Sequence, residues 1–127
     1  MEVITGLWLG QVRQADNVEW CHEKKIQSIL NCNKLFEKGL PLEINYVYIE
    51  KVDDFAKKAA DRLIEFHYNE NKNVIIVCEN GRRIGLLVLI YYLSRVCNIS
   101  RARALEIIKT KLPIFTLDSQ ISRYITQ

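Results

Sequence analysis

The amino-acid sequence predicts one α/β domain with a central mixed, largely parallel sheet flanked by helices. Two observations carry this. Val74-Ile75-Ile76-Val77 is an unbroken β-branched run, the pattern of a strand covered on both faces. It leads through Cys78-Glu79-Asn80-Gly81 into a long apolar helical stretch. Strand-like and helical patterns also follow one another along the chain, and the C-terminal half is rich in helix. The sequence has no repeats, low-complexity tracts or linkers, and its 127 residues suffice for one core but not two, so the domain spans residues 1–127.

Taken in order, Val3 to Leu9 alternates apolar and polar residues, with Gly6 and Gly10 as punctuation, and reads as an opening strand or hairpin. Asp16 is placed to cap a short helix running to about Lys24, with Val18 and Cys21 on its inner face. Ile26 to Asn31 forms the next strand and Tyr46 to Ile49 another. Asp53 and Asp54 precede a helix whose Phe55, Ala59, Leu63 and Phe66 make one buried stripe. Asn69 to Asn73 is a polar turn before the central strand. Helices follow at about Arg83 to Cys97, Ser100 to Lys111 with Ser100 as cap, and Asp118 to Ile125.

Composition narrows the function classes. Apolar residues make up 49% and charged residues 26%, the proportions of an ordinary soluble globular domain. A net charge of +3 suits an anionic ligand and falls well short of a nucleic-acid-binding signature. No apolar run approaches the roughly 18 residues that cross a bilayer, and Met1-Glu2-Val3 opens no signal peptide, so no membrane role is expected. Cys21, Cys32, Cys78 and Cys97 read as reduced thiols in a cytosol-like compartment, which implies a cytoplasmic or nuclear setting. Their spacing matches no zinc pattern, and His22 and His67 read as surface histidines, so neither metal nor cofactor is expected.

Strand, loop and helix in that order put Cys78 at the carboxyl end of a buried strand, facing the positive end of a helix. Backbone N–H groups there form an anion cradle. The segment from Val77 to Gly85 resembles the signature loop of dual-specificity protein phosphatases, His-Cys-x-x-Gly-x-x-Arg-Ser/Thr. Cys78 and Gly81 match in register. Val77 stands at the histidine, Ile84 at the arginine and Gly85 at the serine or threonine. Other segments are similar in the same order. They include Ile4-x-Gly6-Leu7-Trp8-Leu9-Gly10, the strand ending in Asn31, Tyr48-Ile49 followed by Asp53, Tyr91-Tyr92-Leu93 with the helix from Ser100, and Ile114 to Ile125.

The resemblance implies Cys78 as nucleophile and Asp53 as general acid. It also implies a phosphate-binding loop of Glu79, Asn80, Gly81, Arg82, Arg83 and Ile84. Read from the residues alone, Cys78 is equally a buried inert thiol, and Asp53 or Asp54 equally a helix cap. Arg82 and Arg83 stand one or two residues early for the missing arginine and read as an exposed basic rim. The expectation is therefore a catalytically impaired phosphatase-like protein that binds a phosphorylated protein or another protein partner. The alternatives are a slow phosphatase using Cys78, Asp53 and a displaced Arg83, and an interaction module whose pocket has closed around Ile84.

Overall fold

The computed structural model describes residues 2–32, 44–49, 55–77 and 83–111. Strands β1 (Glu2–Ile4) and β2 (Leu7–Gly10) form the opening antiparallel hairpin. Gly6 is required at its turn, because φ is +80° and a Cβ would stand 2.8 Å from the Oδ1 of Asn73.

A short helix that the hydrophobic pattern did not announce, α1 (Val12–Ala15), precedes α2 (Val18–Glu23). The cap of α2 is Asn17 rather than Asp16. The turn after α1 closes with Asn17 N–H on the carbonyl of Gln14. That leaves Asn17 extended, with its Oδ1 accepting the Trp20 N–H at 3.0 Å. The helix ends in a Schellman turn. Lys25 adopts φ 57°, its N–H bonds the His22 carbonyl at 3.1 Å, and the Ile26 N–H bonds the Cys21 carbonyl at 2.8 Å. Ile26 is thereby committed to the helix end, and β3 (Ser28–Asn31) starts after it, later than the apolar pattern suggests. Strand β4 (Asn45–Tyr48) runs beside β3.

Helix α3 (Phe55–Leu63) continues without a break into a π-helical segment (Ile64–Asn69), whose wider turn is marked by Glu70 N–H reaching the Glu65 carbonyl. The predicted stripe holds: Ala59, Leu63 and Phe66 are buried, and Phe55 packs against the same core. Strand β5 (Val74–Val77), α4 (Arg83–Val96) and α5 (Arg101–Lys111) complete the described chain. Ser100 caps α5 as expected, its Oγ accepting the Arg103 N–H at 3.1 Å. The helix expected over Asp118 to Ile125 lies outside the described residues.

The five strands are ordered β1-β2-β5-β3-β4, with β1 antiparallel and the other four parallel. The mixed, largely parallel sheet is thus present, and β5 is its centre with all four residues at 0% exposure. Alternation along the strands builds two core layers. Leu9, Leu30, Val74 and Ile76 face α3, α4 and α5, whereas Ile29, Ile75 and Val77 face α1 and α2. Among the described residues no helix is long and apolar enough to cross a membrane.

Candidate active site

Register brings the carboxyl ends of the four parallel strands into one row, since Val77 pairs with both Gly10 and Asn31, and Asn31 with Tyr48. The chain leaves β5 at Val77 and re-enters described structure at Arg83, the first residue of α4. The carboxyl edge of a parallel sheet, opening onto a helix start, is where α/β folds place ligands. The first turn of α4 carries no acidic residue, so no carboxylate of its own competes with an anion for the N–H groups of the helix start.

The sequence-predicted residues distribute over this edge as follows. Cys78, Glu79, Asn80, Gly81 and Arg82 form the connection from β5 to α4 and lie outside the described residues. So does Asp53, which follows β4 and precedes α3. Arg83 and Ile84 begin α4; their backbone is helical and their side chains are outside the description. Gly85 is buried in the same first turn.

Two neighbours of the loop are well defined. Val77, at the position of the signature histidine, is fully buried with Ile29 and Ile75 in the layer under α1 and α2. Asn31 is buried beside it in the ladder, and its Nδ2 donates to the Tyr46 hydroxyl at 2.7 Å. A buried amide with a phenol partner stiffens the strand end next to the loop. Cys32, one residue on, is buried, and its backbone N–H bonds the Val77 carbonyl at 2.8 Å.

Sequence reasoning missed a histidine bridge. His67 is half-buried and tied at both ring nitrogens: its Nε2 lies 2.9 Å from the Thr5 carbonyl and its Nδ1 2.5 Å from the Tyr92 hydroxyl. A carbonyl only accepts, so Nε2 carries the proton, and Nδ1 accepts from the phenol. The bridge ties the hairpin turn and the π-helical segment to α4. Among the described residues no group of three or more His, Cys, Asp or Glu side chains is placed to hold a metal ion.

No protein-family model and no curated protein matches the sequence. Solved structures do. The chain is similar to human DUSP28, with a TM-score of 0.76 at 16% identity over 98% of this chain and 92% of that one. It is similar to a leucine rich repeat and phosphatase domain containing protein from Entamoeba histolytica, with a TM-score of 0.76 at 19% identity over 98% and 86%. A third similar structure is the human tyrosine phosphatase-like serine/threonine/tyrosine-interacting protein, with a TM-score of 0.74 at 12% identity over 98% and 91%. At such identities the likeness shows the fold: this chain has the dual-specificity phosphatase-like α/β fold over nearly its whole length.

Proposed function

We propose that this chain is a catalytically impaired dual-specificity-phosphatase-like protein, a pseudophosphatase, whose work is to bind a phosphorylated segment or another protein partner. The observation that carries the reading is Ile84 at the position of the loop arginine. Arginine holds two phosphoryl oxygens through a charged fork and follows the charge that spreads over them in the transition state. An isoleucine donates nothing. Removing one preorganised donor costs about 10²–10³ in rate, or about 2.7–4 kcal/mol, and a charged two-pronged donor costs at least that.

Val77 supports the same reading. A fully buried core valine stands where a histidine would help to ionise the thiol. What remains is the start of a 14-residue helix free of carboxylates in its first turn, with Arg83 as its first residue and Arg82 before it in the sequence. Such a combination attracts anions without hydrolysing them. One of the similar structures is itself described as phosphatase-like and as an interacting protein, which agrees with a binding role on this fold.

The purified protein is expected to hydrolyse a small aryl phosphate barely above buffer. Ile84→Arg is expected to raise turnover by about 10²-fold or more. Robust wild-type turnover that vanishes in Cys78→Ser overturns the proposal in favour of a slow phosphatase using Cys78, Asp53 and a displaced Arg83. Binding is read on the same preparation with a phosphopeptide and its unphosphorylated twin. Arg82→Ala and Arg83→Ala are each expected to weaken the former, and more so at low salt.

A further inference from the structure

Helix α2 carries Val18, Cys21 and His22 at the i, i+3, i+4 spacing of a core-facing stripe, and Lys25 follows in the turn that ends it. Cys21 is buried as expected, but Val18 is 51% exposed. The reason is a cavity of about 350 Å³ between this stripe and the amino ends of β3, β4 and β5. Val18, Cys21, Ile26 and Ile44 supply its apolar lining, and His22, Lys25, Gln27 and Asn73 its polar lining. The volume is within the range of ligand pockets. Cys21 serves here as wall: burial pushes its thiol pKa up, and its Sγ lies 3.5 Å from the Ala15 carbonyl.

The polar side is built in advance. Lys25 holds φ 57°, a conformation that glycine adopts with less strain. Besides the Schellman bonds, Asn73 Nδ2 donates to the Lys25 carbonyl at 3.0 Å, and the Asn73 N–H donates to Gln27 Oε1 at 3.0 Å. These bonds fix the backbone from which the exposed Lys25 side chain projects. The charge is one-sided. At about 100° per residue, Glu19 and Glu23 lie about 100° and 140° round the helix from Val18. Glu23 is 3.8 Å from Lys24. Among the described residues no carboxylate pairs with Lys25.

We propose that this cavity docks a segment of a partner protein that inserts one apolar side chain and sets a carboxylate beside it, against Lys25. An apolar lining with the exposed Lys25 ammonium at its side selects that combination over an apolar side chain flanked by lysine or arginine. The site is at the opposite edge of the sheet from the loop after β5 and does not depend on phosphate.

The test is selection of a library of short random peptides, displayed on phage, against the whole protein, with counter-selection on Val18→Glu. Recovered peptides are expected to carry Leu, Ile, Met or Phe beside Asp or Glu. Synthetic copies are expected to shift the amide NMR signals of residues 18–27, 44–45 and 73. Lys25→Gly relieves the backbone strain and keeps the fold. It is expected to weaken binding about two- to fivefold at low salt, the worth of an exposed ion pair, and to abolish the salt dependence. Arg82→Ala and Arg83→Ala leave this binding unchanged, so loss of the loop-binding reading does not touch it.

The proposal is overturned by no enrichment, by enrichment without acidic residues, or by binding that survives Val18→Glu. Binding that follows Arg82 and Arg83 instead overturns it as well. So does Val18-dependent self-association in sedimentation, which makes a second copy of this chain the occupant.

Discussion

The bridge through His67 gives the sharpest stability prediction. Tyr92 is 2% exposed, and its hydroxyl donates to His67 Nδ1. His67→Ala leaves that hydroxyl buried without its acceptor, which costs about 1–3 kcal/mol. Losing the Nε2–H bond to the Thr5 carbonyl, where water can replace the imidazole, adds about 0.5–1.5 kcal/mol. The expected loss is therefore about 1.5–4.5 kcal/mol. Tyr92→Phe is milder, about 1 kcal/mol, because the half-buried imidazole it leaves behind can reach solvent. The two changes remove one shared interaction, so the double variant should lose less than the sum by about 0.5–3 kcal/mol. Urea unfolding of the four proteins, read by tryptophan fluorescence from Trp8 and Trp20, measures the cycle. His67→Ala within about 0.5 kcal/mol of wild type, or a strictly additive cycle, refutes the bridge as a structural tie.

Tyr92 also sets an alkaline limit. Its phenol pKa is pushed from 10.0 up to about 12, by burial first and then by the charges of Cys97 and Tyr68. Folding favours the protonated phenol, so this contribution is intact below pH 10 and falls away as pH rises toward 12; Tyr92→Phe is expected to lose that part of the alkaline slope. Ser28 is fully buried, and among the described residues its Oγ has no hydrogen-bond partner. Ser28→Ala is therefore expected to raise the urea midpoint, by a gain of about 1 kcal/mol. Asn17→Ala removes the α2 cap and is expected to cost about 1 kcal/mol in the same assay, whereas Asn17→Asp retains most of it. A loss at Asn17 no larger than at an exposed position refutes its role as cap.

What the sequence makes legible is what local pattern encodes. The run Val74 to Val77 announces a central strand because its neighbours on both faces demand apolar residues, and the spacing of Ala59, Leu63 and Phe66 announces a buried helix face. Ser100 announces a cap through its position before an amphipathic run. The misses have equally physical causes. Asp16 and Asn17 are both good caps, and only the turn that closes α1 decides between them. Val18 fits a core stripe, but periodicity reports which way a side chain points and not whether anything fills the space opposite. The left-handed residues Lys25, Asn71 and Asn98 are set by helix ends whose positions depend on tertiary contacts. The His67 bridge joins residues 62 and 25 positions apart, beyond any local window. At the candidate site, the match of Cys78 and Gly81 to the signature loop and the departure at Ile84 came from sequence, and the structure adds the buried Val77 and Asn31 at the end of the strands beside it.

The shortness of the strands has a consequence for how partners add up. Strands β3 and β5 are four residues long, so the amino and carboxyl edges of the sheet are separated by only about 13 Å. A flexible tether of a few residues covers that distance. A polypeptide that occupied the proposed cavity beside Lys25 would present the rest of itself to the carboxyl edge of the sheet at an effective concentration in the millimolar range. Two weak grips of that kind multiply, and the combined avidity depends on linker length as well as on either contact alone.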